Sequence, residues 1–298
     1  MTVFKGLLRH FLAFAIVYSG FSRLQYILRG HNRNSIRIVC YHSIGETERK
    51  SFERQIRYYN SKYNIISMTD AVNIIDEQRA DYGRCLIITF DDSFRDNYEI
   101  VAPILQKYSI PACFFIVSQF VSLEKEDKER LEYFAREAFY TSAVIHNMSW
   151  AEVRELSQNG FEIGSHTETH PFLTRIPIEE SKRELSESKR TIESRIGRQV
   201  QHFAFPYGTA KDLNYELRRF VKEIGYTSCS SIVKGSNSHN SDPYYLHRNV
   251  ILPDWPLFMV KCSIRGGFDW VESLKKYLSR GRLVSWNSSK RGKEASYA

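Results

Sequence analysis

The apolar positions along the chain fall into short runs separated by longer amphipathic stretches. Several runs contain almost no polar residue, which is typical of parallel strands covered on both faces. The runs occur at residues 36–41, 85–90, 112–117, 161–164, 202–205 and 244–252. The longer stretches have the spacing of surface helices and occur at residues 52–63, 69–76, 149–156, 179–196 and 213–224. Strands and helices are therefore predicted to alternate.

Boundary signals support several of these helices. Thr69 is the predicted N-cap of the second helix, and Ser149 with Glu152 has the spacing of a capping box. Gly197 is placed to end the long fourth helix. The charge-rich residues 124–138 are predicted to form a helical surface insertion.

The alternation predicts an α/β fold with a mostly parallel sheet that closes, or nearly closes, into a barrel. In such barrels the reactive side chains lie where the strands end. The 298 residues can bury one large core, and no Pro/Gly/Ser-rich linker divides them. We expect one catalytic domain at residues 35–281, between an N-terminal segment at residues 1–34 and a flexible basic tail at residues 282–298.

The N-terminal segment contains an apolar and aromatic run at residues 11–21, flanked by Lys5, Arg9 and Arg23. A membrane span needs roughly 20 apolar residues. The run therefore predicts an amphipathic or hydrophobic helix that contacts a membrane peripherally through residues 1–30. An export signal, cleaved or retained, has a similar composition and is the alternative.

Charge and cysteine content limit the partners and the compartment. The net charge of +8 would suit an anionic partner, but much of the excess lies at the two chain ends. A basic centre with exposed aromatic residues is not evident, so we expect no nucleic-acid partner. The five cysteines form an odd set without a Cys-x-x-Cys motif, which favours the cytoplasmic face of a membrane over export.

Side chains of metal-binding type follow two of the predicted strands. Asp91 and Asp92 come directly after one strand, and His166 and His170 follow another. Alone, the carboxylates could cap a helix and the histidines could lie on the surface. Together they offer two nitrogens and one carboxylate oxygen, with positions left open for water and substrate, as in catalytic metal sites.

Asp92, His166 and His170 are therefore predicted to hold one divalent metal ion. Oxygen and nitrogen ligands without thiolate suit Zn²⁺, which we expect, and are compatible with Co²⁺, Ni²⁺, Fe²⁺ or Mn²⁺. Such a cation polarises a carbonyl and lowers the pKa of water towards roughly 7. Asp91, beside the ligand Asp92, is placed to accept the proton of that water as a general base.

Three motifs resemble, in order and spacing, those of the polysaccharide deacetylase family, the NodB-homology domain of carbohydrate esterase family 4. They are TFDDS at residues 89–93, HTETH at residues 166–170 and FPYG at residues 205–208. The resemblance implies a distorted (β/α) barrel and the same metal ligands and base. It also implies that the substrate meets Pro206 and Tyr207, and that the Tyr207 backbone N–H stabilises an oxyanion.

The chain departs from the family pattern at three places. Ala204 stands where the family commonly has an arginine that orients the base, and Arg248 is the candidate to supply that charge from another strand. Ser93 replaces a glycine, which restricts the backbone. The C-terminal Leu-x-His motif that supplies the general acid in the family is not evident.

The general acid is therefore expected elsewhere. Tyr41-His42 resembles the first strand of the exopolysaccharide-deacetylase branch, whose rearranged motif order supplies the acid from the N-terminal side. This resemblance implies that His42 is the general acid, and His247 is the second candidate. Trp255 is a candidate to line the sugar groove, with core packing as the alternative.

The resemblance implies a hydrolase that removes N-acetyl groups from an N-acetylhexosamine-containing polysaccharide, its expected partner. The missing arginine and the missing C-terminal histidine motivate an alternative, a catalytically silent glycan-binding protein of a polysaccharide assembly system. Hydrolysis of another amide or of an ester would use the same residues. Asp91 favours an enzyme, because a binding module has no need of a base beside a cation.

Overall fold

The computed structural model describes residues 34–124 and 126–269, and a parallel β-sheet lies at its centre. The strands are β1 Ser35–Tyr41, β2 Asn64–Ile65, β3 Arg84–Phe90, β4 Cys113–Ile116, β5 Glu162–Ser165, β6 His202–Ala204, β7 Ser228–Ser230 and β8 Asn249–Val250. They lie in the order β7-β6-β5-β4-β3-β1-β8, with β2 beside β3. The pairings of these strands are parallel, as the uninterrupted apolar runs predicted.

The sheet curls until its two ends meet. Ser230 of β7 forms a parallel bridge with Leu246, which lies shortly before β8. The N–H of Ser231 donates to the Leu246 carbonyl at 2.9 Å, and the Leu246 N–H donates to the Cys229 carbonyl at 3.0 Å. The strands therefore form a nearly closed barrel, and their carboxyl ends lie at one side of it.

Helices connect most of the strands. They are α1 Arg49–Lys62, α2 Met68–Asp76, α3 Ala102–Lys107, α4 Ser118–Val121, α5 Lys128–Tyr133, α6 Trp150–Gln158, α7 Ile178–Ile196, α8 Tyr215–Glu223 and α9 Leu257–Ile264. Single π-helical turns adjoin α3 and α5, and a 3₁₀ turn precedes β8. A helix long and apolar enough to cross a membrane is not found in the described ranges. The predicted N-terminal helix and basic tail lie outside the described residues.

Successive strand residues face two different apolar clusters, because side chains on a strand alternate between its faces. Val39 and Ile88 belong to the larger cluster, to which α1, α3, α6 and α7 contribute. Ile38 and Ile87 belong to a smaller cluster with Met68 of α2. Both faces of the central strands are thus buried, which explains why their sequences are apolar throughout.

Two of the predicted boundaries are wrong. The N-cap of α2 is Ser67, whose hydroxyl accepts the Asp70 N–H in a capping box, so that Thr69 lies inside the first turn. Residues 244–252 do not form one strand, because only Asn249–Val250 pairs with β1. From the rest of this run, Leu246 contributes its backbone to closure of the barrel, and Arg248 contributes its side chain to the site described below.

Glu162, at the start of β5, fixes the N-terminus of α2 to the sheet. Its carboxylate accepts the N–H groups of Met68 and Thr69 at 2.7 and 2.9 Å and the Thr69 hydroxyl at 2.6 Å. Burial raises the pKa of Glu162, but its contacts with His202 and Thr69 outweigh burial, so that the pKa lies below its usual range. The ionised carboxylate is therefore favoured by the folded state, as expected at a helix N-terminus.

We predict that Glu162→Gln lowers the free energy of unfolding by about 1–2 kcal/mol at pH 7. Because the pKa of Glu162 is lowered by folding, its contribution is complete above the ordinary glutamate value of about 4.3 and is lost as the pH falls through the folded-state pKa. Urea denaturation at several pH values should show the two proteins converging in acid. Glu180→Gln, at the exposed first turn of α7, is the control. An equal loss in both variants would contradict this role.

Candidate active site

A pocket of about 670 Å³ opens at the carboxyl ends of β1, β3, β5 and β6. Strands of a parallel sheet end at the same edge, so residues far apart in the sequence meet there. Six of the residues predicted to act in catalysis or metal binding line this pocket: His42, Asp91, Asp92, His166, His170 and Tyr207.

Asp92, His166 and His170 converge on one point. The Nε2 atoms of His166 and His170 lie 3.5 and 3.3 Å from Oδ1 of Asp92. The three residues are at most 7% exposed, and each has a metal-binding type of atom within 4.8 Å of those of the other two. The structure thus brings together the three ligands predicted from the sequence.

The hydrogen bonding of His166 indicates that positive charge belongs between these groups. Its Nδ1 lies 2.7 Å from the Ala204 carbonyl, to which only a protonated Nδ1 can donate. In the neutral ring, Nε2 then carries a lone pair, and this lone pair faces the carboxylate of Asp92. The two groups repel each other unless a proton or a metal ion lies between them, and both are common ligands of Zn²⁺. Burial opposes protonation of His166, but Asp91 and Asp92 outweigh burial and raise its pKa, so positive charge is favoured there. The donor set therefore fits a divalent cation.

Asp91, the predicted base, is fixed by Arg248. The guanidinium donates two hydrogen bonds of 2.7 Å, from Nη1 to Oδ1 and from Nη2 to Oδ2. The thiol of Cys40 donates to Oδ2 at 3.3 Å. A carboxylate has about four lone-pair directions, so the contacts leave Oδ1 able to accept one more proton. Arg248 therefore supplies the positive charge beside Asp91 that Ala204, at the position where the family commonly has an arginine, cannot supply.

Both carboxyls of the site are held in the ionised form. Burial raises the pKa of Asp91, but the charges of Arg248 and His166 outweigh burial and keep the pKa below its usual range. Burial likewise opposes ionisation of Asp92, and the contacts from His166 and His170 hold its pKa well below the usual range. Asp91 is therefore able to accept a proton, and Asp92 is able to bind a cation.

The loops of the site have left-handed backbone conformations, which residues other than glycine rarely adopt. This conformation explains why the family places a glycine where this chain has Ser93, whose φ is +63°. Holding a non-glycine residue in this conformation costs on the order of 1–3 kcal/mol of folding free energy, and such residues cluster at active sites. The others are Asp92, Tyr140, His170 and Tyr207, which line the pocket, and Thr167, which is buried beside it. The two histidines predicted as ligands therefore lie on a tight loop and not on a helix.

Tyr207 forms one wall of the pocket. Its ring stacks on Phe172 with a centroid distance of 3.5 Å and an interplanar angle of 9°. Its hydroxyl donates to the Ala138 carbonyl at 2.8 Å. In the part of the chain that the structure describes, the backbone N–H of Tyr207 donates to no carbonyl or side chain. That N–H is thus available to a ligand.

The two candidates for the general acid lie in different places. His42 is half-buried, lines the pocket and lies within 4.8 Å of Asp91, measured between atoms of metal-binding type. His247 lies outside the pocket lining, with Nδ1 3.2 Å from the Val233 carbonyl and its ring against Gly235. The geometry therefore favours His42.

Two predicted substrate contacts are not at the pocket surface. Trp255 is 6% exposed and belongs to the larger apolar cluster, so its prediction as a groove residue is wrong and core packing is correct. Pro206 is buried in the turn after β6, whereas its neighbours Phe205 and Tyr207 line the pocket. Pro206 thus shapes the turn without lining the cavity.

Much of the pocket wall was not predicted from the sequence. The insertion that follows β4 supplies one side, including Tyr140, which is 63% exposed. The loops after β5 and β6 supply Phe172, Arg175 and Lys211. Their only signal in the sequence is that aromatic and cationic residues occur in loops that follow strands.

Comparison with known proteins identifies related sequences. The model of the family described as polysaccharide deacetylase matches residues 78–229, about half of the chain. YxkH of Bacillus subtilis, a candidate polysaccharide deacetylase, is 23% identical over 72% of this chain and 71% of its own length. The poly-β-1,6-N-acetyl-D-glucosamine N-deacetylase of Staphylococcus aureus is 26% identical, over 57% of this chain and only 56% of that enzyme.

Solved structures share the fold. The deacetylase PplD of Streptococcus pyogenes, determined with acetate, has a TM-score of 0.62 and 20% identity, covering 77% of this chain and 98% of that protein. IcaB of Ammonifex degensii has a TM-score of 0.63 and 19% identity, covering 76% and 96%. The predicted distorted (β/α) barrel of the NodB-homology type is thereby confirmed.

We predict that the metal-stripped protein binds one Zn²⁺ per chain, detected by calorimetry and by a rise in melting temperature. At an ion concentration of about 100 times Kd the stabilisation should approach 2.7 kcal/mol. Asp92→Asn and His166→Ala should lose both signals, because each removes a ligand. His146→Ala, which alters an exposed histidine outside the pocket, should keep them. Unchanged binding in the two ligand variants would disprove this site.

Proposed function

The chain belongs to the polysaccharide deacetylase family, and we propose that it is a metal-dependent hydrolase that removes N-acetyl groups from an N-acetylhexosamine-containing polysaccharide. The pairing of Asp91 with Arg248 beside the three predicted ligands carries this proposal. A base held in one orientation next to a cation site is required for hydrolysis and serves no purpose in binding alone. The staphylococcal relative, named for a polymer of N-acetylglucosamine, supports the substrate class.

We assign the cation to Asp92, His166 and His170, with Zn²⁺ as the preferred ion. When bound, it polarises the acetamide carbonyl and lowers the pKa of water towards roughly 7. Imidazole and carboxylate ligands also accept Co²⁺, Ni²⁺, Fe²⁺ or Mn²⁺, so the native ion is set by availability as well as by geometry.

The side chains and backbone of the site carry the protons and stabilise charge. Oδ1 of Asp91 accepts a proton from the attacking water, while Arg248 keeps the carboxylate in one orientation. The N–H of Tyr207 donates to the carbonyl oxygen as negative charge develops on it. His42 then donates a proton to the leaving nitrogen, so that acetate and an amino sugar are released.

The silent glycan-binding alternative loses part of its support. It depended on the absence of an arginine near the base and of a C-terminal histidine. Arg248 lies on Asp91 and His42 lies at the pocket, so candidates for both roles are present. Membrane contact through residues 1–30, at the cytoplasmic face or after export, remains a prediction from the sequence.

We expect the zinc-loaded protein to release acetate from N-acetylglucosamine oligomers. Asp91→Asn should reduce kcat by at least about 10²-fold, because it removes the base, while leaving the bound zinc in place. His42→Ala should lower kcat by about 10²-fold at neutral pH, and an amine buffer that donates a proton should restore part of it.

His247→Gln is the matched control, since it alters the second candidate histidine outside the pocket. A larger loss in this variant than in His42→Ala would assign the acid to His247. Zinc-loaded protein that binds acetylated oligomers but releases no acetate would favour the glycan-binding alternative.

A further inference from the structure

Two cations at the pocket rim, Arg175 and Lys211, have no role in the proposed hydrolysis. Arg175 lies in the loop between β5 and α7, and Lys211 lies in the loop between β6 and α8. Because β5 and β6 are neighbours in the sheet, both loops border the same side of the pocket. Both residues are exposed.

Neither rim cation is paired. Among the ion pairs of the described residues, none includes Arg175 or Lys211, although nearby Lys182 pairs with Glu179 and Glu216, and Arg183 with Glu168. The third carboxylate of the pocket lining, Asp212, accepts the N–H of Thr209 at 3.0 Å and keeps its negative charge. The rim therefore has two cations against one carboxylate and is positive on balance, whereas the neighbouring cations are compensated.

Arg175 is held in place by stacking. Its guanidinium lies 3.7 Å from the centroid of Phe172, which stacks on Tyr207, which in turn lies 4.8 Å from the ring of His170. A stacked guanidinium uses its face and keeps its N–H edge free for two parallel hydrogen bonds to an oxyanion. Three successive contacts, through Phe172 and Tyr207, thus separate the charge of Arg175 from the predicted ligand His170. At this distance the guanidinium would meet a substrate group other than the reacting acetamide.

We propose that Arg175 and Lys211 form a subsite for an oxyanion on the glycan, a carboxylate or a phosphate next to the N-acetyl sugar that is hydrolysed. This proposal rests on the proposed function and specifies its substrate as an anionic polysaccharide. Asp91 does not oppose it, because Arg248 neutralises this carboxylate, and a cation held with His166 and His170 would neutralise Asp92. The subsite thus selects by charge, and the metal site selects the acetamide.

The test compares kcat/KM for acetate release from three substrates of equal length. They are a neutral N-acetylglucosamine oligomer, one in which N-acetylglucosamine alternates with glucuronate, and one joined by phosphodiesters. At low salt, the wild type should prefer at least one anionic substrate by about tenfold or more, as expected for one charge-assisted bidentate contact. The preferred substrate identifies carboxylate or phosphate as the source. The preference should shrink at about 1 M salt, where the Debye length is near 3 Å.

Arg175→Gln and Lys211→Gln should each reduce the anionic-to-neutral ratio several-fold, and Arg175→Lys should retain part of it. Arg219→Gln removes the same charge from an exposed position on α8, outside the pocket, and should keep the wild-type ratio. Equal rates on all three substrates, or an equal fall in Arg219→Gln, would overturn the subsite while leaving the deacetylase standing. No acetate from any substrate would overturn both.

Discussion

The ion pair between Arg248 and Asp91 is the interaction on which the arrangement of the site depends. Adjacent buried carboxylates repel each other and lose hydration at a cost of several kcal/mol per ion. Arg248 compensates Asp91, and Asp92 lies against His166 and His170, which are proposed to share a cation with it. The same guanidinium donates from Nε to the Ser231 carbonyl at 2.9 Å and from Nη1 to the Thr89 hydroxyl at 3.2 Å. It thus joins β3 to the segments around β7 and β8, so the side chain that compensates Asp91 also supports closure of the barrel, together with the backbone hydrogen bonds of Leu246.

The sequence predicted those features in which local pattern and tertiary environment agree. The central strands have apolar sequences because both of their faces are buried. Two helix boundaries follow from local signals, namely the capping box at Ser149 and the left-handed Gly197, with φ of +69°. The convergence of the candidate metal ligands was predictable because they occur in short motifs directly after strands. Arg248 was only a candidate, since spacing cannot show which arginine reaches a carboxylate 157 positions away.

The pocket walls were harder to predict because their environment is tertiary. The charge-rich sequence of residues 124–138 predicts a solvated surface helix. However, Phe134 and Ala138 are buried in an apolar cluster with Phe94 and Phe120. This packing presents the following residues to the pocket. The prediction for Trp255 was wrong in the opposite sense, since a residue predicted to line the groove is buried in the core. An aromatic residue near the end of the domain has the same pattern in the sequence whether it packs in the core or binds sugar. The sequence identifies such aromatic residues, but it does not show whether each one packs in the core or lines the pocket.

The position of Arg248 near the end of the domain sets the order in which the ribosome synthesises the residues of the site. A chain emerges N-terminus first, at about 5–20 residues per second. The predicted ligands Asp92, His166 and His170 are therefore synthesised before Arg248, which pairs with Asp91. A nascent chain that lacks Arg248 contains the predicted cation ligands but neither the arginine that pairs with Asp91 nor strand β8. The ion pair that orients Asp91 can therefore form only after most of the domain has been synthesised.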